Sequence, residues 1–163
     1  MRARHLSVTL VFLLAGMLLA AGCGGSSRDA YQQDLTQVGG IVERALAKMP
    51  ADEQTTVTPD QVHELADQLR DASNDLDGLD APKGAVAPQA KMVHGLSNVA
   101  DAFDGLADDL AAAKDDEAKA ELFVAFASNT KIDDAFNDIA AAQTELANQG
   151  FHVFRKGGVP TAP

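Results

Sequence analysis

The four histidines and 24 acidic side chains are the groups that could bind a metal ion in this 163-residue chain. His63 and Asp67 have the four-residue spacing that places two ligands on one helix face. A hydrolytic zinc site of that kind uses histidine at both positions. Di-iron bundles need a Glu-x-x-His unit on two helices, and Asp60 with His63 has no counterpart before His94. The sequence therefore predicts no metal site, and both histidines are interpreted as satisfied or exposed side chains at the core margin.

A second candidate for chemistry is the polar segment from Ser73 to Gly78, which is similar to the start of a calcium loop. Such a loop needs an acidic first residue and a glutamate at its twelfth position, where this chain has Ser73 and Gly84. There is also no glycine-rich phosphate loop after a strand and no serine elbow. We therefore predict no catalytic residue, no cofactor and no enzymatic activity.

The single cysteine, Cys23, follows an apolar run near the start of the chain. Arg2 and Arg4 give a basic beginning, the apolar stretch covers residues 8–21, and small residues lead up to the thiol. This order of charged, apolar and small residues is typical of a secretory signal. An exported protein with one leftover cysteine must pair it, react through it or modify it.

Residues 1–23 closely resemble the signal of bacterial lipoproteins, in which a peptidase cuts before a cysteine that carries a diacylglyceryl group. Ala20 lies three residues before Cys23, where such signals usually have leucine, and Leu19 lies one residue further out. The resemblance implies cleavage between Gly22 and Cys23, lipidation of Cys23, and a position at the extracytoplasmic face of the cell membrane. It implies no activity.

Two other interpretations of the N-terminus stay open. The apolar run from Leu6 to Ala21 could be an uncleaved anchor, although its 16 residues are fewer than the roughly 20 that a spanning helix needs. Cys23 could also be an ordinary thiol that follows a conventional cleavage site. In the lipoprotein interpretation two acyl chains suffice for stable anchoring, and residues 24–27, Gly-Gly-Ser-Ser, act as a short flexible tether.

The charge of the chain restricts its partners. The signal holds two of the 13 basic residues and none of the 24 acidic ones, so the remainder is strongly acidic. Phosphate backbones are bound through clusters of lysine and arginine, and anionic lipid headgroups repel negative charge. We therefore expect no nucleic-acid partner and contact with the membrane only through the lipid on Cys23.

The elements that must position any site are predicted to be helices. Alanine-rich sequence after the tether carries four apolar stripes at helical spacing, and none of them alternates as a strand would. These stripes predict an all-α fold, an antiparallel four-helix bundle with short connections. They cover Tyr31 to Met49, Val62 to Leu79, Met92 to Leu110 and Leu122 to Leu146, with Asn129 and Gln143 at two core-facing positions of the last stripe.

Helix limits are predicted from capping residues and breakers. Pro50 ends the first helix, and Thr58 with Pro59 and Gln61 forms a capping box before the second. Residues 80–88, rich in proline and glycine, form the connection to the third helix. The last connection is placed at Lys114–Glu117, with Asp115 or Asp116 as the cap.

The end of the chain completes the domain prediction. Gly150 is predicted as the residue just past the last helix, with Phe151 making the accompanying apolar contact. The predicted organisation is a signal at 1–22, a lipidated cysteine and tether at 23–27, a helical bundle at 28–154 and a disordered tail at 155–163.

The functional prediction is a non-enzymatic interaction or scaffold module anchored to the membrane, with an envelope protein as its partner. The alternative is a carrier that holds a small apolar or metal-bearing ligand between its helices. Four aromatic side chains could line such a cavity, namely Phe103, Phe123, Phe126 and Phe136.

Overall fold

A computed structural model describes residues 27–48 and 57–154 of the chain. Within these two ranges there are five helices and no strand, which confirms the predicted all-α class. The signal, Cys23, Pro50 and the tail at 155–163 lie outside the described residues. The helices are α1 (Arg28–Leu46), α2 (Pro59–Asp77), α3 (Val86–Ala112), α4 (Asp116–Ala127) and α5 (Thr130–Asn148).

The predicted helix starts of α2 and α4 are confirmed by their caps. The Thr58 hydroxyl accepts a bond from the Gln61 amide at 3.3 Å, and the Gln61 side chain accepts one from the Thr58 amide at 2.9 Å. Asp115 caps α4 by accepting from the Ala118 amide at 2.9 Å. Both caps satisfy amides that a helix leaves without partners in its first turn.

The prediction of one helix across the fourth stripe is wrong, because the chain breaks between α4 and α5. Ser128 ends α4, and Asn129 caps α5 by accepting from the Lys131 amide at 3.0 Å. Short polar side chains of this kind compete for backbone hydrogen bonds and favour caps over helix interiors. Asn129 was therefore misplaced as a core-facing residue, and its type carried the signal for the break.

The predicted connection at residues 80–88 is too long, because α3 already begins at Val86. Pro88 consequently lies in the first turn of α3. A proline is tolerated there, since the amides of the first turn have no partner within the helix.

Helix α3 is the centre of the fold and contacts α2, α5 and α4, while α1 packs against α2. The α2–α3 pair is antiparallel, since Ser73 donates to the Val93 carbonyl at 3.0 Å and His63 pairs with Asp104. The α3–α5 pair is antiparallel as well. The Lys91 ammonium lies 2.6 Å from the Glu145 carboxylate, and a residue later in α3, His94, faces a residue earlier in α5, Asp138, at 3.6 Å.

Residues 150–154, which we call the C-terminal strap, run back along α1. Gly150 has φ +80°, and the amides of Gly150 and Phe151 donate to the carbonyls of Ala147 and Leu146, both at 2.9 Å. These two bonds form the Schellman motif that the predicted glycine at this helix end requires. The His152 amide then donates to the Gln32 side chain at 2.8 Å, which fixes the strap on α1.

The hydrophobic core lies among α1, α2, α3, α5 and the strap, each of which contributes buried apolar side chains. Helix α4 contributes none. In the two described ranges, none of the helices combines the length and apolarity needed to cross a bilayer.

Candidate functional site

Helix α4 is apolar in composition but lies on the surface of the fold. Leu122, Phe123 and Phe126 are only half-buried, and Val124 exposes 68% of its surface. An ordinary surface helix has one apolar stripe and a polar opposite face. Exposed apolar surface that is gathered on one element, with polar residues around it, is typical of an interaction site.

The face of α3 beside α4 carries three residues at intervals of one helical turn, Asp101, Gly105 and Asp109. The two aspartates are eight positions apart, which corresponds to about 12 Å along the helix axis. Gly105 is exposed between them, and a Cβ atom built on it would meet nothing within 4 Å. This face of α3 is therefore open at its centre and acidic at both ends.

Helices α3 and α4 border an open surface groove of about 300 Å³. Leu106, Leu122 and Phe126 provide its apolar walls, and Asp101 and Asp109 lie at its edge. The Phe126 ring is anchored on the buried Phe103 ring, with 5.0 Å between the centroids. The groove thus combines apolar side chains with carboxylates in its lining.

The surroundings of the groove are strongly negative. Residues 101–129 contain eight aspartate and glutamate residues and two lysines. One lysine, Lys119, pairs with Asp116 at 3.0 Å. Within the described ranges the Asp109 side chain makes no hydrogen bond and no ion pair. Its carboxylate is therefore available to a cation from outside the molecule.

A cluster of ion pairs between α2 and α3 fixes the other side of this acidic face. The Arg70 guanidinium contacts Asp104, and its Nη2 atom lies 3.2 Å from an Asp101 carboxylate oxygen. His63 places Nδ1 3.0 Å from Asp104 and Nε2 3.5 Å from Asp108. The hydrogen bond from Arg70, followed by that from His63, lowers the pKa of Asp104.

The same contacts favour the protonated form of His63. Its hydrogen bond to Asp104, together with the nearby charges of Asp104, Asp108 and Asp67, raises its pKa above the ordinary value of 6.5. Every member of this cluster thus has a partner of opposite charge on the facing helix or its own. These contacts join α2 to α3 and place Asp101 beside Arg70.

The residues that the sequence singled out for metal chemistry do not converge. Asp67 pairs with Arg70 at 3.3 Å, while His63 points to α3. His94 faces Asp138 at the other end of the α2–α3 pair. Among the residues that the structure describes there is no group of three or more histidine, cysteine and acidic side chains that could hold a metal ion.

The other sequence candidates separate in the same way. Ser73 is buried within α2, which continues through the calcium-like segment to Asp77. Cys23 and Gly22, the predicted lipidation and cleavage residues, lie outside the described ranges.

The predicted aromatic residues do not share one cavity. Phe136 lines an apolar cavity of about 30 Å³ that Phe154 of the strap also lines, whereas Phe126 lines the groove. Ligand pockets for drug-sized molecules measure roughly 300–1,000 Å³. The cavity beside Phe136 is therefore far too small for such a ligand as the protein stands.

Sequence reasoning missed the groove, although part of its signal was visible. The one-turn spacing of Asp101, Gly105 and Asp109 and the apolar run of residues 122–126 both stand in the sequence. Their juxtaposition depends on the break at Asn129, which turns the fourth stripe into two helices.

Comparisons of the chain with protein-family models, with curated proteins and with solved structures found no match.

Proposed function

We propose that this protein is a lipid-anchored interaction module at the extracytoplasmic face of the cell membrane, and that it binds an envelope protein through the surface of α3 and α4. The observation that carries the proposal is the combination of an apolar α4 that buries no residue with an open groove beside it. The module acts by binding, without catalysis.

The N-terminal sequence supports the anchoring part of the proposal. Signal peptide cleavage before Cys23 and diacylglyceryl transfer to its thiol would attach two acyl chains, enough for stable membrane binding. The tether of residues 24–27 then connects the lipid to α1, which begins at Arg28. The acidic surface beyond it is kept from anionic headgroups by charge repulsion.

The arrangement of the helices supports separate roles for the bundle and for α4. We propose that α1, α2, α3 and α5 constitute the four-helix bundle expected from the sequence, with α4 as an addition to its rim. The antiparallel pairs α2–α3 and α3–α5 favour this arrangement, as does the position of the core, to which each of these four helices contributes buried apolar residues and α4 contributes none. The bundle provides stability, and α4 is left to bind a partner.

The alternative of a carrier has less support. A carrier needs an enclosed site, and the apolar cavity beside Phe136 has a volume of about 30 Å³. An interaction surface needs no such enclosure, and the groove is open to solvent along Gly105.

The anchor is tested by mass spectrometry of the intact protein extracted from its own membrane. We expect a chain that starts at Cys23 with the added mass of a diacylglyceryl group. A Cys23→Ser variant should lose both the lipid mass and membrane retention. Full retention and labelling of that variant would contradict the anchor.

The interaction surface is tested by placing a photoreactive residue at Ala125, an exposed residue of α4 that lines the groove, in the full-length protein in its own cells. Val86 is the control, since it is an exposed apolar residue at the start of α3 that does not line the groove. We expect a discrete crosslinked protein at Ala125 and none at Val86. Equal crosslinking at both positions, or none at Ala125, would contradict the proposed binding surface.

A further inference from the structure

Resting on the proposed function, we infer that the α3–α4 groove binds a cationic amphipathic helix of its partner, with two basic side chains about eight residues apart and an apolar side chain midway between them. The apolar side chain enters the groove over Gly105. The two basic side chains reach Asp101 and Asp109.

The spacing follows from the geometry of α3. Asp101, Gly105 and Asp109 are one turn apart on the same face, so the two carboxylates are separated by about 12 Å along the axis. A helix that lies along this groove advances the same distance in eight residues. Its residues at the first, fifth and ninth positions therefore face Asp101, Gly105 and Asp109 in either direction of the partner chain.

The absence of a side chain at Gly105 makes room for the apolar anchor. A Cβ atom at this position has no neighbour within 4 Å, and Leu106, Leu122 and Phe126 line the groove beside it. Helix-in-groove recognition depends on apolar anchors at such one-turn intervals. The aliphatic stems of lysine and arginine would add apolar contact along the walls.

Charge decides between the possible occupants. Asp109 has no ion pair within the described ranges, and Asp101 has only Arg70 beside it. On α4, Ala125 lines the groove. Glu121 lies one helical turn before Ala125. A second copy of this chain would oppose these carboxylates with its own, and an anionic lipid surface would do the same, so both are disfavoured. A cationic helix is complementary to Asp101 and Asp109 on the α3 side of the groove.

The test measures binding of a fluorescent, helix-stapled peptide to the full-length protein in detergent, by anisotropy. The peptide has an alanine-leucine apolar face with two lysines eight residues apart, and its matched partner has glutamate in place of both lysines. We expect saturable binding of the lysine peptide, weakened by salt, and none of the glutamate peptide. Equal binding of the two peptides would overturn the inference.

Variants locate the binding surface. Asp109→Asn should weaken binding about threefold, as expected for a charge pair at a rim, whereas Asp108→Asn, with the same charge change on the side facing His63, should not. Gly105→Gln should weaken it about tenfold, because the new side chain fills the groove. Unchanged binding in Asp109→Asn and Gly105→Gln would overturn the inference. Crosslinking at Ala125 with no binding of the lysine peptide would overturn it while leaving the proposed interaction module standing.

Discussion

The Tyr31 ring meets the Phe151 ring edge to face, with 5.0 Å between the centroids and 85° between the planes. The Arg28 guanidinium carbon lies 4.2 Å from the centroid of the same Phe151 ring. An aromatic contact and a cation–π contact thus join the first turn of α1 to Phe151, three residues past the end of α5. The strap is held at this point by the side chains of α1.

The Tyr31 hydroxyl is completely buried in this contact and has no hydrogen-bond partner within the described structure. A buried hydroxyl without a partner carries a desolvation cost. We therefore predict that Tyr31→Phe raises the free energy of unfolding by about 1 kcal/mol. Urea denaturation of the two proteins measures the difference. A substantially less stable Tyr31→Phe variant would show that the hydroxyl has a partner in solution.

The same burial predicts a loss of stability at alkaline pH. Desolvation raises the pKa of Tyr31 to about 12 from its ordinary value of 10.0. Because the unfolded state loses this proton first, stability falls as the pH rises from about 10 towards 12. Tyr31 is the only tyrosine and there is no tryptophan, so tyrosinate absorbance follows this residue alone. Ionisation at the ordinary pKa in the folded protein would contradict the burial of the ring.

Two adjacent glycines of α1 should respond in opposite ways to alanine. A Cβ atom on Gly39 would collide with the backbone carbonyl of Val153, whereas one on Gly40 meets nothing within 4 Å. Gly39→Ala should therefore displace the strap and lower the free energy of unfolding by about 2 kcal/mol. Gly40→Ala should raise the free energy of unfolding by about 1 kcal/mol, because alanine has the higher helix propensity. Thermal unfolding compares the two. Similar effects would show that the strap does not lie on Gly39.

A second pair of glycines tests the surfaces of α3. A Cβ atom on Gly95 would lie 2.6 Å from Ile139 Cγ1 and 3.0 Å from the Ala135 carbonyl, so Gly95 allows α5 to approach. Gly95→Ala should cost about 2 kcal/mol by overpacking. Gly105→Ala, on the open face, should instead stabilise by about 1 kcal/mol. Destabilisation by Gly105→Ala would mean that this face is already covered.

The ion-pair cluster also predicts a pH dependence of stability, which arises from a hydrogen bond and nearby charges, whereas that of Tyr31 arises from burial. Since the pKa of His63 is raised in the folded state, the stabilisation is fully present below the ordinary value of 6.5 and is lost as the pH rises through the folded pKa. A histidine NMR titration should give a pKa for His63 that falls towards its ordinary value in Asp104→Asn. No change in that variant would contradict the contact between His63 and Asp104.

The sequence was sufficient for those features that depend on local chemistry. Helix class, the Thr58 cap and a cap at Asp115 or Asp116 follow from residue type within a few positions, as does the Gly150 helix end. The Asn129 break was missed because apolar residues continue at helical spacing on both sides of it. The Tyr31–Phe151 contact joins residues 120 positions apart, and no local pattern encodes such a pairing.

The groove was missed for the same physical reason. The apolar residues of α4 fit the pattern of a core helix, and only the three-dimensional arrangement leaves Val124 exposed. The carboxylates at Asp101 and Asp109 likewise fit a solvated helix face. The two carboxylates lie at a groove only because α4 packs beside them. The residue spacing within α3 or within α4 does not predict how the two helices pack.

The measurement that tests the central claim most directly is amide hydrogen exchange of the full-length protein with and without the lysine peptide. Because α4 buries no residue, its amides should exchange faster than those of α2 in the free protein. Adding the peptide should slow exchange in α4 and spare α1 and α2. Protection that appears elsewhere, or α4 amides that are unaffected by bound peptide, would contradict the account.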